Sequence, residues 1–190
     1  MPNEGTVETS LRISDLDLTG MGAPTFDYLK ALVVEDNTHM RALLRSLLHA
    51  LGIKNVAEAS DGTSGYAELR EKKPDFILTD LSMKPMDGIE FTRLVRSATD
   101  SPNPYVPIVM VTGHTERRWV EAARDAGVTE FLAKPITPQS LFLRVTEIVE
   151  HPRPFVRSEG YFGPDRRRRK APDYTGPWRR SDDKTDVEIK

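Results

Sequence analysis

Five side chains able to do chemistry each follow a short β-type run: Glu35 and Asp36 after 31–34, Asp80 after 76–79, Thr112 after 108–111 and Lys134 after 130–132. If those runs lie parallel in one sheet, all five meet outside its carboxyl edge, where open α/β sheets bind ligands. Carboxylates brought within a few Å raise one another's pKa unless a cation sits among them. A hard divalent ion, Mg²⁺ or Mn²⁺, is the natural counterion, because such ions take carboxylates, waters and phosphate oxygens. Lys134 adds a point charge suited to a phosphoryl oxygen, or to an ion pair with Asp80. The chemistry favoured is phosphoryl transfer to a carboxylate, with cations offsetting the charge that develops.

The elements that must position these groups are legible in the periodicity. A further β-type run at 56–59 brings the strands to five. Met40, Leu43, Leu44, Leu47, Leu48 and Leu51 recur at helical spacing, and Gly52 supplies a stop. Asp61 and Asp87 are candidate caps for the second and third helices. The fourth helix is expected over 116–126, with Val120, Ala123 and Ala126 inward and Gly127 ending it. Thr137-Pro138 opens the fifth, whose buried stripe is Leu141, Val145 and Ile148. Strict alternation of strand and helix predicts a doubly wound α/β domain over 28–150.

Charge separates that domain from its flanks. Residues 1–27 carry one Arg and five acids, whereas 151–190 carry eleven Lys or Arg against seven acids, with Pro152, Pro154, Pro164, Pro172 and Pro177 as breakers. Both ends read as solvated extensions, an N-terminal arm and a Pro/Arg-rich C-terminal tail. The 190 residues include no Cys, which excludes disulfides, thiolate zinc sites and thiol nucleophiles. No apolar run approaches the ~18 residues of a membrane helix and the start lacks a signal-peptide pattern, so a cytoplasmic protein is expected. His39, His49, His114 and His151 show no metal-ligand spacing.

Four stretches, in order, resemble the receiver domain of bacterial two-component response regulators: Leu32-Val33-Val34-Glu35-Asp36-Asn37, the run from Leu78-Thr79-Asp80 to Met86-Asp87-Gly88, Ile108 to Gly113, and Ala126-Gly127 leading to Phe131-Leu132-Ala133-Lys134-Pro135-Ile136. The resemblance covers about 28–150 and neither tail. It implies a flavodoxin-like (βα)5 fold and a phosphorylation-dependent signalling switch that is not an enzyme beyond its own Mg-dependent phosphoryl transfer and dephosphorylation. By resemblance, Asp80 is the phosphoacceptor, supplied by a histidine kinase, a phosphotransfer protein or a small acyl phosphate. Glu35, Asp36, Asp80 and the main-chain carbonyl of Ser82 match the metal ligands. Thr112 matches the switch hydroxyl, Lys134 the phosphate-contacting lysine and Phe131 the switch aromatic. Ser82 and His114 stand where the family tunes phosphate lifetime, and the Lys134-Pro135 peptide is expected to be cis. The family's downstream face is built by the fourth helix, fifth strand and fifth helix, with a homodimer as a further assembly.

The chain departs from the pattern at Lys84, where the family usually has proline, and at Phe131, whose ring has no hydroxyl to report its state. Two other readings stay open. One is a pseudo-receiver scaffold that is never phosphorylated. The other is a nucleic-acid-binding regulator whose basic tail is controlled by the receiver. A haloacid-dehalogenase-type enzyme would need a second Asp where Ser82 stands. In the tail, Phe162, Arg166, Arg167, Arg168, Arg169, Lys170 and Trp178 interleave aromatics with charge, as a docking peptide or a polyanion-binding segment would. Leu11, Ile13, Leu16 and Leu18 could supply an added strand or an arm to another subunit.

Overall fold

A computed structural model describes residues 26–113, 116–166 and 187–189. Strands β1 (Lys30–Val34), β2 (Asn55–Ala59), β3 (Phe76–Asp80), β4 (Ile108–Thr112) and β5 (Glu130–Ala133) form one parallel sheet in the order β2-β1-β3-β4-β5. Between and after them run helices α1 (Thr38–Ala50), α2 (Gly62–Lys72), α3 (Gly88–Ser97), α4 (Arg117–Ala126) and α5 (Pro138–Glu150). The doubly wound domain expected from the alternation, in the flavodoxin-like form that the resemblance implies, is therefore the fold observed. Its strands reach further than the apolar runs suggest, so Asp80 and Thr112 are the last residues of β3 and β4 rather than the first after them.

Period-two alternation sorts each strand between two helical layers. Ala31, Val33, Leu78, Val109 and Val111 face Leu44 and Leu48 of α1 and Leu141, Val145 and Ile148 of α5. Leu32, Val34, Ile77 and Ile108 face Leu69 of α2 and Phe91 and Val95 of α3. Phe26, assigned above to the N-terminal arm, is instead buried in the first layer with its ring centroid 5.9 Å from that of Phe142. Residues 1–25 of the arm, with Leu11, Ile13, Leu16 and Leu18, lie outside the described residues.

Helix entry follows the expected caps. Asp61 and Asp87 each accept two backbone N–H bonds within capping boxes, and Thr137 accepts that of Ser140 in the capping box of α5, with Pro138 at its first turn. Asn37 caps α1 by accepting from the His39 and Met40 amides at 3.0 Å. Val120 is a correction: it is 36% exposed. The inward stripe of α4 runs through Trp119, Ala122, Ala123 and Ala126, because the Trp119 ring fills the space beside Met110 and rotates Val120 outward.

The segment after α5 is also a correction to the reading of 151–190 as a solvated extension. Strands β6 (Phe155–Ser158) and β7 (Tyr161–Pro164) form an antiparallel hairpin through Glu159-Gly160, with Gly160 at φ +79°, and β8 (Val187–Ile189) pairs on the other side of β6. Prolines at 154 and 164 bound the hairpin instead of breaking it, since a proline is tolerated at the end of an edge strand. Phe155, 8% exposed, meets Tyr105 edge-on at a centroid distance of 5.3 Å and Phe162 at a tilt at 5.6 Å. Burying such a ring stabilises the docked hairpin by roughly 1.5–3 kcal/mol.

β7 lies against α3 and α4. A β-carbon at Gly163 would sit 2.9 Å from the Cα of Gly127, so only glycine lets the hairpin approach the end of α4 this closely. Beneath it Arg96, 5% exposed, donates from Nε to the Gly127 carbonyl at 3.1 Å and from Nη1 to the carbonyls of Pro104 and Val106 at 2.7 and 2.8 Å. Its guanidinium carbon stands 5.1 Å from the Phe155 ring centroid. Burial pushes this guanidinium down to about 9, still charged at neutral pH. Arg153 ties the hairpin's base to the sheet by donating to the carbonyls of Thr129, at 3.1 Å, and Asp165.

Candidate functional site

At the carboxyl edge, β1, β3 and β5 deliver Glu35, Asp80 and Lys134 to one point. Lys134 Nζ donates to Asp80 Oδ1 at 2.6 Å and to Glu35 Oε2 at 3.2 Å. The other Asp80 oxygen, Oδ2, accepts the Ser82 backbone N–H at 2.6 Å, and Glu35 Oε1 accepts that of Asn37 at 3.2 Å. Arg41 of α1 donates to the Glu35 carbonyl at 2.7 Å and fixes the turn out of β1.

The electrostatics follow from two carboxylates sharing one ammonium. Burial, then the Asp80 charge, push the Glu35 carboxyl above its ordinary range, against the opposing pull of Lys134 and the Asn37 amide. Burial works to lower the Lys134 ammonium, but Asp80 and Glu35 outweigh it and hold it above the usual lysine value. The pocket is thus one positive charge short of balance, with hard oxygen donors, which suits a divalent cation.

The five positions singled out from sequence are not equally placed. Thr112 is buried at the end of β4, with its carbonyl accepting the Lys134 backbone N–H at 2.9 Å. Asp36 is exposed on the rim, and no group of three or more His, Asp or Glu side chains is gathered around one point among the described residues. Phe131 is half-buried and packs with the α4 cluster that contains Met110 and Ala123. Ser82 is exposed beside Asp80, and His114 lies outside the described residues. His39, His49 and His151 are all exposed. Of the tail residues, Phe162 is half-buried in the hairpin, and Arg166 stacks on Tyr161 at 3.7 Å while pairing with Asp125 at 3.3 Å. Arg167, Arg168, Arg169, Lys170 and Trp178 lie outside the described residues.

Two features of the edge carried no role in the sequence. The Lys84-Pro85 peptide is cis, in addition to Lys134-Pro135, which is cis as expected. Gly88 is forced by contact, since a β-carbon there would lie 2.1 Å from the Asp80 carbonyl oxygen. The 81–87 loop is folded back so tightly that the first turn of α3 abuts β3, with the Gly88 amide donating to the Leu81 carbonyl at 3.1 Å. Its signal was the Asp87-Gly88 pair, which reads equally well as an ordinary helix start.

A five-stranded doubly wound sheet with an acid pair, a strand-end aspartate and a lysine at its carboxyl edge defines a signalling receiver rather than a classical enzyme. The chain belongs to the response regulator receiver domain family, which it matches over residues 31–146. Among curated relatives it is 38% identical over 122 residues to the chemotaxis protein CheY of Pseudomonas aeruginosa, covering 64% of this chain and 97% of that one. The chemotaxis protein CheY-3 of Vibrio cholerae is 33% identical, with 64% and 92% covered. Among solved structures, CheY4 of Vibrio cholerae aligns with a TM-score of 0.59 at 28% identity over 64% of this chain and 98% of that one. The receiver domain of a sensor histidine kinase from Pseudomonas aeruginosa, with a magnesium ion coordinated in its active-site cleft, aligns at 0.56 and 28% identity over 63% and 94%. The family match ends inside α5, so the β6–β7 hairpin lies beyond it. No helix among the described residues is long and apolar enough to cross a membrane.

Proposed function

We propose that the chain is a phosphorylation-dependent switch of a two-component or phosphorelay pathway, working in the cytoplasm, with Asp80 as the phosphoacceptor. The observation that carries this reading is the Lys134 ammonium lying 2.6 Å from Asp80 and 3.2 Å from Glu35. An Asp80 oxygen attacks the phosphorus of a phosphohistidine or acyl phosphate, the bond from phosphorus to the donor breaks, and the leaving group keeps the electron pair. Lys134 exchanges a carboxylate partner for a phosphoryl oxygen, and the Ser82 amide holds the second Asp80 oxygen in place. Glu35, Asp36, Asp80 and the Ser82 carbonyl would hold Mg²⁺ or Mn²⁺, which when bound supplies the missing positive charge on the phosphoryl oxygens.

Thr112 and Phe131 then turn toward the phosphoryl group and the sheet. The surface of α4, β5 and α5 changes by population shift, limited by the differential free energy of those contacts. A histidine kinase or phosphotransfer protein is the donor, and a protein docking on that surface is the recipient. Intact mass after incubation with a small acyl phosphate and Mg²⁺ tests this. Wild type gains one hydroxylamine-labile phosphoryl group and Asp80→Asn gains none. An equal gain in both, or none in either, removes the basis for the reading and leaves the scaffold alternative.

A further inference from the structure

At the other end of the sheet, the docked hairpin creates a groove of about 660 Å³ between itself and the carboxyl-terminal ends of α3 and α4. In βα units those helix ends lie at the amino edge of the strands, so the groove is separated from Asp80 by the length of the sheet. Its volume lies within the range of small-ligand sites, roughly 300–1,000 Å³. Arg93, Arg96 and Arg157 line it, with Asp125, Tyr161 and Phe162.

The charges there are unbalanced. Asp125, the acid in the lining, is already within 3.3 Å of Arg166 and 3.5 Å of Arg124. Arg93 and Arg157 are exposed and have no acidic partner among the described residues. The Arg157 guanidinium carbon lies over the Phe162 ring, 4.6 Å from its centroid, a contact that restricts its planar fork. Arg96 spends Nε and Nη1 on three carbonyls and adds a fixed positive charge to the groove wall. The ligand type that arginine forks match best is a phosphate or carboxylate oxygen pair.

We propose that this groove is a binding site for a small phosphate-bearing ligand, recognised by the exposed guanidinium groups of Arg93 and Arg157. The site exists only because the hairpin is docked, since Arg157, Tyr161 and Phe162 all come from it. It is independent of phosphoryl transfer at Asp80.

Isothermal titration of the full-length protein without divalent ions, using inorganic pyrophosphate and ADP as separate probes, tests it. Saturable 1:1 binding of either probe is expected, weakened at least tenfold in Arg93→Ala and in Arg157→Ala. Asp80→Asn and a variant with Arg167, Arg168 and Arg169 all changed to Ala should bind as wild type does. Both groove residues are exposed, so these variants fold, which an unchanged melting curve verifies. Absence of saturable binding at millimolar probe overturns the proposal. So does binding that survives both groove substitutions, or binding that vanishes with the 167–169 variant or with Asp80→Asn.

Discussion

Charged side chains are withdrawn from water at both edges of the five-stranded sheet, and they are satisfied in opposite ways. At the carboxyl edge Glu35 and Asp80 share the side-chain ammonium of Lys134, and burial together with Asp80 raises Glu35 above its ordinary range. At the amino edge Arg96 is fixed by the carbonyls of Gly127, Pro104 and Val106 and by the ring of Phe155. Partners of the first kind are side chains, which can be exchanged without disturbing the main chain. Partners of the second kind are main chain, and losing them means losing packing. The first arrangement suits chemistry and the second suits architecture, although both consist of a few ionisable groups in a low-dielectric setting.

Substitution of Arg96 gives the largest effect that would break this contrast. Arg96→Ala strips three carbonyls of their donor and opens a void under Phe155, and should cost about 3–5 kcal/mol in a urea titration. The folded fraction should still accept phosphate on Asp80. A loss below about 1 kcal/mol would place the hairpin's docking elsewhere.

Gly88→Ala sharpens the contrast from the other side. The new methyl meets the Asp80 carbonyl oxygen at 2.1 Å, so β3 and the 81–87 loop must part. Stability should fall by about 1–3 kcal/mol, and phosphorylation by acyl phosphate should slow by about 10-fold to 100-fold because the attacking oxygen is displaced. Stopped-flow fluorescence of Trp119, which packs against the buried cluster that contains Met110, would follow the rate.

The smallest effect belongs to a cap. Asp61→Ala should cost about 1 kcal/mol by removing the acceptor for the Thr63 and Ser64 amides. The Asp61 carboxyl is held below its ordinary range, first by the Ser64 amide. Because the folded value is the lower one, the charged cap's contribution is complete above about pH 4 and fades as pH falls through the folded value. Melting curves of wild type and variant should therefore converge in acid and differ at neutral pH.

The sheet and its helices could be read from sequence because their signals are local: Leu43 to Leu51 at helical spacing, Asp61, Asp87 and Thr137 as caps, and apolar runs short enough to be buried strands. Glu35, Asp80 and Lys134 could be read because parallel topology carries strand-end residues to one edge whatever the loops do. Asp36 shares that edge by sequence but not its burial, since neighbouring residues after a strand point to different sides. The hairpin was not legible. Phe155 and Val156 make too short an apolar run, Pro154 and Pro164 read as breakers, and the reason to dock is Arg96 together with Tyr105, which approach only after α3 and β4 have packed. Val120 went astray because spacing alone does not say whether Trp119 or Val120 takes the inward position.

Hydrogen exchange read by mass spectrometry on the full-length protein, with and without Mg²⁺ and beryllofluoride, tests the division of the molecule most directly. The account predicts slowed exchange at 80–88, 112–113 and 131–135 in wild type and no response in Asp80→Asn. Peptides covering 155–164 should be as protected as α3 in both conditions. Unprotected exchange across 155–164, or a beryllofluoride response that survives in Asp80→Asn, would contradict it.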